Sequence, residues 1–381
     1  MSTPTSFPHT HLDPLEVLVI GAGQAGLAIA WHLKQASVRF LVVDAAATIG
    51  HTWRTRWDSL TLFSPSQYDG LPSMAFPAPP DTYPTKDQVA DYLTDYATTF
   101  ELPILLDTPV TGLIHEDGLF TARTPQGTVY ARQVVVATGA FQTPVLPKVA
   151  RRFDTTIAQL HSAQYRNPDR IPPGRVLVVG AGNSGLQIAR ELAATHQVHL
   201  AVGSSPLRVP QRILGRDLFW WLTRTGAMRA PAESPLGRRL KARGDLVIGT
   251  THRDLRRAGV NFHPRLVDAA GTTAGFADGT STTVDTVVWA TGLRPDHSWI
   301  HIPAMLESPQ PRHVDGITAV PGLYFLGLPW QRTRGSSLLG FVQHDAACLA
   351  GTLLHRRRHL TLTGVGTDPG GSAGGTTSSI P

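Results

Sequence analysis

Two stretches of the chain share one pattern: a run of β-branched apolar residues, a cluster of glycines, then apolar positions at helical spacing. They are VLVIGAGQAGLAIAWHL at 17–33 and VLVVGAGNSGLQIAREL at 176–192, identical at 11 of 17 positions. An unbroken apolar run of this length reads as a strand buried on both faces, and the spacing after the glycines reads as a helix packed on it. A second apolar run follows each copy, VRFLVVD at 38–44 and QVHLAVGS at 197–204. Farther on, VVVATG at 134–139 is echoed by VVWATG at 287–292. Before each ATG, β-formers alternate between the turn signals Asp117-Gly118 and Gln126-Gly127 in the first unit and Asp278-Gly279 in the second, which predicts a β-meander in each.

The repeat predicts an α/β fold of two nested Rossmann-like dinucleotide-binding domains, each carrying its meander. The expected organisation is a disordered N-terminus over 1–14, a first domain beginning at 15–148, a second domain inserted over 149–285, and a return to the first over 286–360 through a C-terminal helix. The Gly-, Ser- and Thr-rich residues 361–381 read as a disordered tail. The segment 211–244, aromatic and basic, reads as a packed helical insert, with a cover over a substrate entrance or a contact with a membrane surface as alternatives.

The glycines carry the chemistry. In GxGxxG the first makes the tight turn, the second lets backbone approach a pyrophosphate and the third admits close helix-to-strand packing. Gly21, Gly23 and Gly26, with Gln24 and Ala25 between them, form the first cradle; Gly180, Gly182 and Gly185, with Asn183 and Ser184, form the second. The second strands end differently at the same distance. The first ends in Asp44, a carboxylate suited to a ribose diol; the second reaches Gly203 and continues Ser204, Ser205 and Arg208, donors suited to a 2′-phosphate. This points to FAD in the first site and NADPH, rather than NADH, in the second. Thr138, Gly139, Thr291 and Gly292, in the two ATG turns, are expected beside the cofactors.

The remaining composition narrows the picture. With 41% hydrophobic residues among 381, no apolar run long enough to span a bilayer and no signal-like N-terminus, the expectation is a cytoplasmic protein, a monomer or homodimer. Its single cysteine, Cys348, excludes a CxxC redox pair and reads as a core thiol. Net charge is +6 and the pI about 9.8, yet the basic residues are scattered, so a phosphate-bearing cofactor accounts for them without nucleic acid. His301 and His313 lack metal-ligand spacing and read as surface residues.

With Asp44 and the glycine cluster, GHTWRTRW at 50–57 resembles the flavin-domain entry of the flavin-containing monooxygenases. YPTKDQVADYL at 83–93 and LHSAQYRNP at 160–168 resemble segments of the plant indole-3-pyruvate monooxygenases, and bacterial flavoproteins named for potassium or metal-cation transport are similar over about 15–355. The resemblance implies Trp53 and Arg54 against FAD, and the segment PWQRTRGSSLLG at 329–340 along the flavin ring, with Asn183, Gln331 and Arg334 as catalytic candidates. It also implies NADPH reduction of the flavin, reaction with O2 to a C4a-(hydro)peroxyflavin, and oxygenation of a small organic substrate. The chain departs from the family at Thr155 and Ile157, where the pattern FxGxxxHxxxY has Phe and Gly; it keeps His161 and Tyr165. Phe63 stands where many members have Asn, and Gly327-Leu328 where related reductases have Gly-Asp. An NADPH-dependent reductase passing electrons to a quinone or protein, and a redox sensor acting on a transporter, are the alternative functions.

Overall fold

The computed structural model describes residues 13–204, 207–244, 246–306 and 311–364. Two sheets carry the architecture. The first runs in the order His313–Val314, Ile317–Thr318, Leu323–Phe325, Val134–Val136, Val17–Ile20, Phe40–Val43, Ile104–Leu105. Its last five strands are parallel, which is why they are written in unbroken apolar residues; only the 313–318 hairpin at one edge is antiparallel. The second sheet is wholly parallel, in the order Asn261–His263, Gln197–Ala201, Arg175–Val179, Thr286–Trp289, Ala158–His161. In both, the strand before the glycines lies between its second strand and the ATG strand. The two meanders, over 112–131 and 266–283, form separate three-stranded antiparallel sheets.

Helices cover the first sheet on one side. Gln24–Gln35 packs against the C-terminal helix Val342–Gly364, whose Val342, Ala346, Leu349, Ala350 and Leu353 enter the common core at helical spacing. Lys86–Thr99 joins them, started by a reciprocal capping box between Thr85 and Gln88. The insert contributes the hairpin Arg212–Ile213 and Arg216–Asp217 and the helices Leu218–Arg224 and Pro235–Ala242. Phe219 of the insert stacks on Phe63 with ring centroids 6.0 Å apart, and Asp217 accepts from the Tyr83 hydroxyl at 2.7 Å, so the insert is bound to the first domain.

Three expectations change. Thr286–Trp289 belongs to the second sheet, so the border falls beyond Trp289 and not at 285; hydrogen bonding to Arg175–Val179 requires it there. The C-terminal helix runs to Gly364, past the expected start of a tail at 361; residues 365–381 and 1–12 lie outside the described residues. Cys348 is exposed, its Sγ 2.8 Å from Arg332 Nη1, because it sits on the outer face of that helix.

The chain crosses between the sheets twice, and the crossings are bonded to each other. Thr143–Pro144 pairs antiparallel with Leu293–Arg294, and Val145 N–H donates to the Gly292 carbonyl at 3.0 Å. His161 donates from Nε2 to the same Gly292 carbonyl at 3.0 Å and accepts from Ala163 N–H at Nδ1. Tyr165, fully buried, donates to Glu191 on the second domain's helix at 3.0 Å. Of the two linker residues that match the family pattern, His161 therefore fastens the crossings and Tyr165 ties the linker to the second domain's helix, while Ile157 fills the second core.

Close packing under each glycine helix sets a clear expectation. Gly26→Ala or Gly185→Ala forces a methyl group onto a backbone carbonyl and lowers unfolding free energy by about 1–3 kcal/mol in urea denaturation, the usual cost of overpacking.

Candidate functional site

The two glycine turns repeat one geometry. Gly21 has φ +110°, and a Cβ there would stand 2.6 Å from the Ala137 carbonyl oxygen; Gly180 has φ +114°, with the Ala290 oxygen at 2.3 Å. Cβ atoms on Gly26 and Gly185 would lie 1.8 and 1.9 Å from the carbonyl oxygens of Gly21 and Gly180. Only glycine fits these four positions. The middle glycines, Gly23 and Gly182, are different: nothing lies within 4 Å of a Cβ added to either. Each is the N-cap of its helix and offers no side-chain cap, so the first N–H groups of Gln24–Gln35 and Asn183–Leu192 face that open space. Open space in front of unpaired helix N–H groups suits an anion such as a pyrophosphate.

In the first cradle Asp44 is held at the strand end by accepting from Ala22 N–H at 2.6 Å and Ala46 N–H at 2.8 Å. Opposite it, Gly139 has φ +73° with open space around it, and the Thr138 hydroxyl is buried without a hydrogen-bond partner among the described residues. Gly327 closes the rim, its added Cβ 2.8 Å from that of Ala25.

In the second cradle the carboxylate is replaced by basic groups. Arg208 has Nε and Nη2 buried without partners among the described residues, and so has His252 Nε2. Burial first, then the charges of Arg208 and Arg256, hold His252 below the ordinary imidazole range. Enclosed Arg208 N–H donors with no acceptor, beside an unpartnered imidazole nitrogen, fit a bound phosphate. Arg265 reaches Gly203 O at 2.6 Å, and Ser204 is exposed at the strand end; Ser205 lies outside the described residues.

A family model described as pyridine nucleotide-disulphide oxidoreductase matches residues 18–214. The chain belongs to that family. It is 45% identical over 343 residues to an oxidoreductase from Geobacillus kaustophilus described as uncharacterized and CzcO-like, covering 90% of this chain and 99% of the relative. It is 30% identical over 328 residues to the indole-3-pyruvate monooxygenase YUCCA8 of Oryza sativa, covering 74% and 77% of the two chains. A solved flavin-containing monooxygenase from Stenotrophomonas maltophilia superposes with a TM-score of 0.76 at 27% identity, over 91% of this chain and 100% of that one. This chain is thus a flavin-dependent oxidoreductase of the pyridine-nucleotide family whose one cysteine leaves it without a dithiol pair.

The oxidoreductase uses several of the expected residues differently. The Asn183 side chain bonds at both ends, Nδ2 donating to Leu246 O and Oδ1 accepting from Ile248 N–H, each at 3.0 Å, so it anchors the strand Val247–Ile248 and keeps one further N–H and one lone pair. Gln331 is buried and clamps its own loop, accepting from Leu328 N–H at 3.2 Å and donating to Phe325 O at 2.9 Å. These bonds close the 325–331 turn. Arg334 lies over the Trp330 ring, 5.8 Å from the centroid. Trp53 is half-buried against the first core, whereas Arg54 is exposed and paired with Asp91 at 2.6 Å, directed to solvent. Thr291 donates its hydroxyl to Val145 O, a bond within the crossing, and Gly292, at φ +88°, gives its carbonyl to His161. Ser184 is half-buried in the first turn of the second cradle's helix.

Sequence reasoning missed three groups. Asp69 is buried; it accepts from Ser64 Oγ at 2.6 Å, and its other oxygen has no partner among the described residues. Burial pushes its carboxyl up to about 8, against the opposing effect of the Ser64 hydrogen bond. Asp345, buried at the start of the C-terminal helix, is also raised by burial, although Arg332 Nη1 lies 3.6 Å away. His297 has both ring nitrogens buried without partners among the described residues and stands edge-on to Phe325, 5.1 Å between centroids. No local pattern marks any of them, since each becomes notable only through burial from other segments.

Asp69 gives stability a definite pH dependence. The fold retains a proton that the unfolded chain gives up near 3.8, so the group's contribution is complete below that pH and is lost as pH rises through about 8. Asp69→Asn removes that loss: its thermal midpoint should exceed that of the parent at pH 8 and converge with it towards pH 4. Melting curves across that range read the difference.

Proposed function

We propose that the chain is an FAD- and NADPH-dependent monooxygenase that oxygenates a small organic substrate with O2. The observation that carries this reading is the asymmetry of the cradles: one ends in Asp44, the other in the unpartnered pair Arg208 and His252. FAD fits the first, with its pyrophosphate over Gly23 and its adenosine ribose at Asp44; NADPH fits the second, with its 2′-phosphate at Arg208. Bound together, the two supply hydride transfer to flavin and activation of oxygen. The relatives named for monooxygenase activity support the oxygenating outcome over simple electron transfer.

The chain's own residues position and seal. Each glycine turn fixes its helix so that free N–H groups meet a pyrophosphate without rearrangement. Phe63 packs among Tyr68, Phe219 and Phe341, an apolar wall that keeps water from the region between the domains. Phe63 in place of the family's Asn removes a polar side chain from that wall. It supports a second reading, an NADPH-dependent reductase that passes electrons to an added acceptor.

One measurement separates the two. Purified yellow protein is reduced with NADPH under anaerobic conditions and mixed rapidly with oxygen. A transient absorbance distinct from oxidised and reduced flavin is the expected result. Immediate return to the oxidised spectrum, with fast turnover on a quinone, would establish the reductase instead.

The coenzyme assignment has its own test. Arg208→Ala removes a charge-assisted contact worth about 1.5–3 kcal/mol, so KM for NADPH should rise roughly ten- to hundredfold while that for NADH stays within about twofold.

A further inference from the structure

The basic residues of the chain are scattered, but its net charge is not. The insert 211–244 contains eight basic residues, Arg212, Arg216, Arg224, Arg229, Arg238, Arg239, Lys241 and Arg243, against Asp217 and Glu233. That is a net +6, equal to the net charge of all 381 residues, so the rest of the molecule is balanced. All eight basic residues are exposed, whereas Asp217 is buried as the cap of Leu218–Arg224. Apart from Arg212, which hydrogen-bonds Tyr83, none of them makes an ion pair or a side-chain hydrogen bond among the described residues. A cofactor phosphate at Arg208 does not use this charge.

Apolar groups stand within the same segment. The hairpin Arg212–Asp217 turns through two residues, Leu214 at φ +50° and Gly215 at φ +75°. Such turns favour Asn-Gly, because a branched side chain is strained at positive φ. Leucine here works against the fold, and it covers nothing: Leu214 is 87% exposed, the most exposed large apolar side chain described. The hairpin is braced from behind, Trp221 Nε1 donating to Ile213 O at 2.9 Å and the Arg216 guanidinium lying 5.5 Å over the Trp220 ring. Leu236, on the helix that carries Arg238, Arg239 and Lys241, is also exposed.

We propose that the insert is a peripheral membrane contact, docking the enzyme on an anionic lipid bilayer with Leu214 entering the headgroup layer and the insert's exposed arginines against lipid phosphates. A tip leucine held at a conformational cost, half-buried tryptophans and a run of exposed basic residues without ion pairs among the described residues match that surface in both apolar and electrostatic terms. Nucleic acid would take the charge but has no use for the strained leucine. No described helix is long and apolar enough to cross a membrane, and reversible surface attachment needs none.

Sedimentation with vesicles tests this on the full-length FAD-loaded protein. Binding is expected to vesicles containing about a third phosphatidylglycerol, with little to pure phosphatidylcholine, and to fall steeply between 0.05 and 0.5 M salt (~the range over which surface charge is screened). Leu214→Asn suits the turn, so it should melt no lower than the parent and oxidise NADPH at the same rate, yet bind these vesicles several-fold more weakly. Replacing Arg238, Arg239 and Lys241 by Gln should weaken binding by roughly tenfold or more. Equal binding to both vesicle types, an unaltered affinity for Leu214→Asn, or capture by duplex DNA with none by vesicles overturns the proposal.

Discussion

Everything in this molecule rests on a helix brought closer to a strand than any side chain permits. At Gly26 and Gly185 the backbone of the helix lies against the carbonyl of the residue that begins the turn, at a separation that excludes even a methyl group. That contact sets the helix axis, and the axis aims its free N–H groups at the gap over Gly23 and Gly182. The strands on either side repeat in the same order in both sheets because the same contact organises both. A dinucleotide site is in this sense a by-product of packing: once the helix is seated, the anion site exists before any ligand arrives.

Specificity is added by the ends of neighbouring strands. Asp44 is oriented by two backbone N–H groups, leaving the carboxylate fixed at the loop. At the equivalent place in the second sheet stands Gly203, its carbonyl held by Arg265, with Arg208 and His252 supplied from outside the βαβ unit. On the reading proposed above, one framework would serve two nucleotides through a few side chains at these strand ends.

How much of this was legible in the sequence follows from range. The strands, the glycine roles and the repeat were legible because each depends on residues a few positions apart: the apolar runs at 17–20 and 176–179 read as buried parallel strands. The strand ends were legible too, since the distance from glycine to Asp44 or Gly203 is fixed by one helix and one turn. What was not legible depends on long-range encounters. Only the folded chain shows that Asn183 bonds Leu246 and Ile248, and Gln331 bonds Phe325 and Leu328. Asp69 becomes an unusual acid only when other segments bury it. The assignment of Thr286–Trp289 failed for a similar reason: an ATG strand looks the same whichever sheet receives it.

The two crossings between the sheets carry one last consequence. A single tether lets the body on its end swivel freely, whereas two tethers lying side by side and bonded together act as the leaf of a door. Thr143–Pro144 and Leu293–Arg294 form such a leaf, pinned by His161 at Gly292. Displacing one sheet against the other must therefore carry this ribbon along or break it, and the bonds from Arg166 and Asn167 to Arg56 and Asp58 resist the same movement.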